Sequence, residues 1–330
     1  MKYHNAITDI RGIEVGHAQN AEALTGCTVV LCRKGAVAGV DVRGGAPGTR
    51  ETDLLDPVNL VEKVHAVVLA GGSAYGLSAA GGVMQYLEEH KIGFNTGVAK
   101  VPIVPSAILY DLNLGRADLR PDAAMGYLAA ASASSAAPAE GNIGVGTGAS
   151  VGKMFGISLA TKTGVGTASI SIGGGIVVGA LVAVNAWGDV IDPHTQEIIA
   201  GLRSGKVGPL RVGGKDRFAD TLAMMKKPLG RSLLGFASRA NTVIGVVATN
   251  AQLTKAGATK VAQMAQDGIA RTVRPAHTML DGDSIFVLST GARKAEVTAV
   301  GAFAAEAVAQ AIVRAVKTAR PAGGLPGTAD

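Results

Sequence analysis

The chain has 330 residues, of which 48% are hydrophobic, 17% charged and 4% aromatic. That is enough apolar material for one large core or two ordinary ones, and it excludes disorder. The formal charge of +6 and pI near 9.3 come from scattered basic residues with no stripe and no interleaved aromatics, which argues against a nucleic-acid partner.

Mean hydropathy is +0.30, yet no uncharged apolar run reaches about 18 residues, so no membrane span is expected. High hydropathy without a span points to a buried subunit interface and a homo-oligomer. The 46 glycines predict a core of small side chains with close backbone approaches. The N-terminal MKYHNAITDIRGIEVGH has no apolar signal region, and a cytoplasmic location is expected.

In chain order, IEVGHA, CTVVLC and AVAGVDV read as three short strands within residues 1–45. Cys27 and Cys32 should point to opposite faces of such a strand and stay unpaired. RGGAPGTRETDLLDP (43–57) reads as a polar loop, and VHAVVLAGG (64–72) as a buried strand. A helix follows in SAAGGVMQYLEEH. VPIVPSAILYDL (101–112), broken by Pro102 and Pro105, should be irregular or an edge. DAAMGYLAAASAS (122–134) reads as a small-residue helix able to pack closely, and residues 141–156 form a glycine-dense loop.

Residues 168–191 contain two or more β runs, and 192–241 form the least regular, most charged stretch, an exposed connector. TVIGVVATN (242–250) is then a strand, 254–273 an amphipathic helix, 281–291 a strand and 297–319 a long closing helix. The last eleven residues should fray. The pattern predicts an α+β fold with helices packed on sheets, without the regular alternation of a doubly wound fold.

Familiar motifs fail. Lys153 in GTGASVGKM lacks the phosphate-loop spacing and is followed by Met154. The six histidines show no zinc-ligand spacing, and no G-x-S-x-G elbow occurs. No cofactor and no metal are called for. What remains is the junction where the charged connector ends at Asn241 and an apolar strand starts at Thr242. A hydroxyl residue placed there can attack the preceding carbonyl and convert the peptide to an ester that water cleaves. The released Thr242 then carries an α-amine, of ordinary pKa about 8, that serves its own hydroxyl as base. A plain loop-to-strand boundary fits the same dipeptide, as at Asn95–Thr96. Asp281-Gly282-Asp283, at i and i+2, can present both carboxylates on one side and reach Thr242 if the two strands pair. A turn before a strand is the simpler alternative.

Taken together, ITDIRGIEVGHA, VRGGAPGTRETDLL, VVLAGGSAYGL, GNIGVGTGASVGKMFG, KTGVGTASI, GALVAVNAWGDV, NTVIGVVATNAQLTK and DGDSIF resemble the self-processing P1 (DmpA-like) peptidase family across nearly the whole chain. Within that family, Asn-Thr and the two Asp residues look most like the nylon-oligomer (6-aminohexanoate oligomer) hydrolases. The resemblance implies an αββα sandwich of the N-terminal-nucleophile type. It implies a single domain self-cleaved into residues 1–241 and 242–330, assembled as a homo-oligomer, often a tetramer. By motif it makes Thr242 the nucleophile, Asp281 and Asp283 its orienting pair, and Asn185 an oxyanion donor. Lys153 becomes the nearby cation, with Lys162 as a rival, and Tyr110 a pocket residue. The implied reaction is hydrolysis of linear oligoamides or short peptides. Two alternatives are an aminopeptidase for peptides, β-peptides or amino-acid amides, and an acyl transferase related to ornithine acetyltransferase.

Overall fold

The computed structural model describes residues 3–228, 230 and 241–329. The C-terminal part of the expected connector, residues 229 and 231–240, lies outside the described residues.

The principal strands are β1 (Glu14–Asn20), β2 (Thr25–Val42), β3 (Lys63–Ala70), β4 (Ser106–Ile108), β5 (Val165–Ser171), β6 (Val177–Asn185), β7 (Thr242–Gln252) and β8 (Ser284–Lys294). They form one mixed sheet in the order β5-β6-β7-β8-β2-β3-β4, ending on the short strand Thr49–Arg50, with β1 paired to β2. The four principal helices are α1 (Ala79–Glu89), α2 (Ala123–Ala131), α3 (Lys255–Thr272) and α4 (Val297–Lys317).

β2 is one 18-residue strand where the sequence reads as two runs. Its first half pairs with β1 and β3, and its last six residues pair with β8. A register shift between Leu31 and Ala36 lets the strand bend, so the sheet folds over on itself. The inner layer between the two halves holds Val30, Cys32, Val67 and Leu69 from one side and Leu181, Ile244, Val246 and Phe286 from the other. Alternate residues of β6, β7 and β8 face outward onto α3 and α4, and those of β2 and β3 onto α1 and α2. The result is the expected αββα sandwich. Cys27 and Cys32 lie in different layers, both free and buried.

Small residues allow these layers to close. A Cβ on Gly82 would meet the Ala123 carbonyl at 1.7 Å, and one on Gly126 the Ala79 carbonyl at 2.0 Å, so α1 and α2 touch backbone to backbone. α4 is long and apolar enough to cross a membrane by length and composition, but Val300, Ala304, Val308 and Ile312 are spent on α3 and the sheet. Burial of each of the Val and Ile side chains contributes about 1.5–3 kcal/mol.

Two regions are more ordered than the sequence predicts. Within 192–228 the structure holds the short strands Ile198–Ala200, Gly205–Val207 and Leu210–Val212 and the helix Thr221–Met225. The buried Asp189 organises them by accepting from Leu202 N (2.8 Å), Thr221 N (2.6 Å) and Thr221 Oγ1 (2.8 Å). Leu202, Val212 and Met224 then pack on the buried Trp187. The C-terminal tail does not fray over residues 320–329. Leu325 is buried beside Leu114, Pro326 O accepts from Lys162 N (2.9 Å), and Thr328 N donates to Ala319 O.

Candidate active site

Three neighbouring strands converge at one end of the sheet. β7 begins at Thr242. β6 runs antiparallel to it and ends with Asn185 directly opposite Thr242. β8 runs parallel to β7, in register Ile244 with Ser284, so Asp281, Gly282 and Asp283 precede it at the same end. Parallel pairing needs a crossover, and α3 supplies it. Thr242, Asp281, Asp283, Asn185 and Asn241 are all buried.

The Thr242 hydroxyl donates to the carbonyl of Asn241 across the peptide bond that would break. The same carbonyl accepts the Gly282 N–H at 2.8 Å. Asp283 Oδ1 accepts from Val243 N at 2.7 Å, one residue past Thr242. Its Oδ2 accepts from both the backbone N (3.0 Å) and ring Nδ1 (2.9 Å) of His277. Asp281 Oδ1 accepts from Trp187 N (3.3 Å), and Oδ2 from Thr278 N (3.1 Å) and Thr278 Oγ1 (2.5 Å). Burial, and then the neighbouring Asp283, push the Asp281 carboxyl up to about 6.

On the β6 side, Asn185 Oδ1 accepts from Ser150 N (3.1 Å) and Lys153 Nζ (2.8 Å), and Lys153 Nζ also donates to Asn185 O (2.9 Å). Two donors fix Oδ1, so the amide nitrogen must point the other way, where it donates to Tyr110 O at 2.9 Å. Burial pulls the Lys153 ammonium down to about 7, against the attraction of Asp281 and Asp111.

Of the residues singled out by sequence, Thr242, Asp281, Asp283, Asn185 and Lys153 form one constellation. Tyr110 joins it through its main-chain carbonyl. Lys162 spends its buried Nζ on main-chain carbonyls, those of Gly146 (3.0 Å), Ala149 (2.8 Å) and Thr163 (2.6 Å), tying the glycine loop together.

Sequence reasoning missed His277 and Thr278, which grip the two carboxylates, because no spacing or motif marks a loop residue as a clamp. It also missed the loop 43–46, whose Arg43 N and Ala46 N donate to Asp283 O and Asp281 O. Asp111, adjacent to Tyr110, is a buried carboxyl bonded to Thr25 Oγ1 and Gly72 N, both at 2.7 Å. Burial raises its pKa despite those donors.

Burial pulls Lys162 down to about 7. The unfolded chain therefore binds more protons than the folded one between about pH 7 and the ordinary lysine range, and stability attributable to Lys162 rises with pH through that window. Lys162→Met leaves three buried carbonyls short of a donor and is expected to cost about 3 kcal/mol. The deficit relative to wild type should widen between pH 7 and 10, as read by urea unfolding. A deficit that narrows would contradict the burial of this charge.

With 22% identity and a TM-score of 0.68, the structure resembles the l-aminopeptidase d-ala-esterase/amidase from Ochrobactrum anthropi over 98% of this chain and 88% of that one; that enzyme is described as a new variant among the Ntn hydrolase fold. The chain belongs to peptidase family S58, whose model matches residues 5–329. It is 45% identical over 353 residues to an uncharacterized aminopeptidase of Mycobacterium leprae, covering 98% of this chain and 92% of that protein. It is 30% identical over 322 residues to the 6-aminohexanoate-oligomer endohydrolase of Kocuria sp., covering 94% and 85%. It is a hydrolase acting on amide bonds.

Proposed function

We propose that the chain is a self-processing hydrolase with Thr242 as its N-terminal nucleophile, acting on linear oligoamides and short peptides, 6-aminohexanoate oligomers among them. The observation that carries this reading is the convergence at Thr242: its hydroxyl lies on the Asn241 carbonyl, the two Asp residues precede one neighbouring strand, and Asn185 closes the other. Cleavage yields residues 1–241 and 242–330, which stay together because β7 lies between β6 and β8 in the sheet.

The freed α-amine then takes the proton of the Thr242 hydroxyl as it attacks a substrate carbonyl. Asp283, already on Val243 N, is placed to hold the resulting ammonium. The second N–H of the Asn185 amide serves the oxyanion, and Lys153, near neutrality in its ionisation, keeps that amide turned correctly. The substrate amine departs, and water cleaves the acyl ester. The assembly that goes with this reading is a homo-oligomer, a tetramer of processed protomers.

The 45% relatives named aminopeptidases favour a second reading, in which a free substrate amine is required. Both are tested on purified protein. A small fragment beginning Thr-Val-Ile-Gly-Val is expected on N-terminal sequencing. Hydrolysis of an amino-terminally acetylated 6-aminohexanoate trimer at a rate close to that of the free trimer supports the oligoamide reading. A loss above about 100-fold on acetylation, the size expected when a buried polar partner is left unpaired, supports the aminopeptidase. Active protein that stays full length overturns the threonine mechanism.

A further inference from the structure

Glycine between two buried aspartates has a geometric reason. Gly282 N donates to Asn241 O at 2.8 Å, while a Cβ at this position would stand 3.0 Å from Thr242 Oγ1 and 2.6 Å from Ala46 O. The residue therefore lies against the nucleophile's oxygen and, through its N–H, against the oxygen of the carbonyl under attack. Its position is fixed from both sides. Asn241 pairs with Asp281 in a parallel bridge, and Ala46 N donates to Asp281 O at 2.8 Å.

We infer that Gly282 is a catalytic residue of the processing reaction, its backbone N–H stabilising the oxyanion that forms on Asn241. This rests on the self-processing reading above and assigns its electrophilic group. The step balances without a co-reactant other than water. Thr242 Oγ bonds to the Asn241 carbonyl carbon, and the carbonyl electron pair moves onto its oxygen, where the Gly282 N–H already lies. The C–N bond then breaks, and the hydroxyl proton ends on the Thr242 nitrogen. Water hydrolyses the ester to the Asn241 carboxylate and the Thr242 hydroxyl. A donor fixed before reaction needs no reorganisation as charge develops, which is why one such N–H is worth about 10²–10³ in rate. A side chain could not do this here, because the space it would need is occupied by Thr242 Oγ1 and Ala46 O.

The test removes the N–H and little else. Cell-free synthesis with glycolic acid in place of Gly282 replaces that amide by an ester, and conversion of the full-length chain to two fragments is followed by mass spectrometry. Phenyllactic acid in place of Phe286, in the middle of β8, controls for loss of one strand hydrogen bond. Processing slowed at least about 100-fold at position 282, with the 286 ester near the native rate, is the expected result. Native-rate processing of the 282 ester, or equal slowing of both esters, overturns the assignment while leaving self-processing intact. Absence of fragments from the native chain overturns the self-processing reading and this assignment with it. Gly282→Ala, which keeps the N–H but adds a Cβ against Ala46 O and Thr242 Oγ1, should also slow maturation.

Discussion

Thr242→Ala is expected to leave one polypeptide of 33.1 kDa that never gives the 242–330 fragment and hydrolyses amides at least about 10⁴-fold more slowly than the mature protein. The Thr242 hydroxyl is the group that lies on the Asn241 carbonyl, and in the proposed mechanism the same hydroxyl would carry the acyl group after cleavage, beside its own amine. Alanine removes both reactions at once. The fold should survive, because the methyl of alanine fits where a slightly larger buried side chain stood, and the one lost hydrogen bond contributes about 1 kcal/mol. Thr242→Ser keeps the hydroxyl and should still mature. Denaturing electrophoresis and circular dichroism on both variants check this. Two fragments from the alanine variant would remove Thr242 from the mechanism, and an unfolded alanine variant would move the test onto serine against cysteine, where only the nucleophile's chemistry changes.

How much of this was legible in the sequence differs between fold and site. Periodicity places β7, β8, α3 and α4 within a few residues of where the structure has them, since long amphipathic segments carry their own signal. It splits β2 into two runs, because the register shift after Leu31 interrupts the alternation while the hydrogen-bonded strand continues. It leaves the tail loose, because Leu325 finds its partners only in three dimensions. At the site, Asp281-Gly282-Asp283 is visible as a motif, but its clamps are not. His277 grips Asp283 from a backbone with φ +56°, a conformation that local sequence does not announce, and Thr278 looks like any loop threonine. The family resemblance, rather than spacing, singles out Asn185 and Lys153. Only the register of β6 against β7 shows why they would matter, by setting Asn185 opposite Thr242.

That register also separates the two reactions the site would perform. The Asn241 carbonyl accepts the Gly282 N–H, whereas the Asn185 amide nitrogen is turned toward Tyr110 O. Maturation should therefore depend on Gly282, and substrate turnover on Asn185. Asn185→Leu is a poor test, since it strips partners from Ser150 N, Lys153 Nζ and Tyr110 O together and leaves a buried charge poorly compensated. Asn185→Asp keeps the acceptor for Ser150 N and Lys153 and replaces the donor facing Tyr110 O by a carboxylate oxygen. We expect it to fold, to mature at close to the native rate, and to lose about 10²–10³ in kcat with KM within about threefold. The added carboxylate should also favour the ammonium form of Lys153, raising it from about 7. A fully active Asn185→Asp enzyme would show that the amide holds no oxyanion. A variant that loses maturation and turnover together would show that one donor set serves both, and the division of labour between β6 and the turn before β8 would fall.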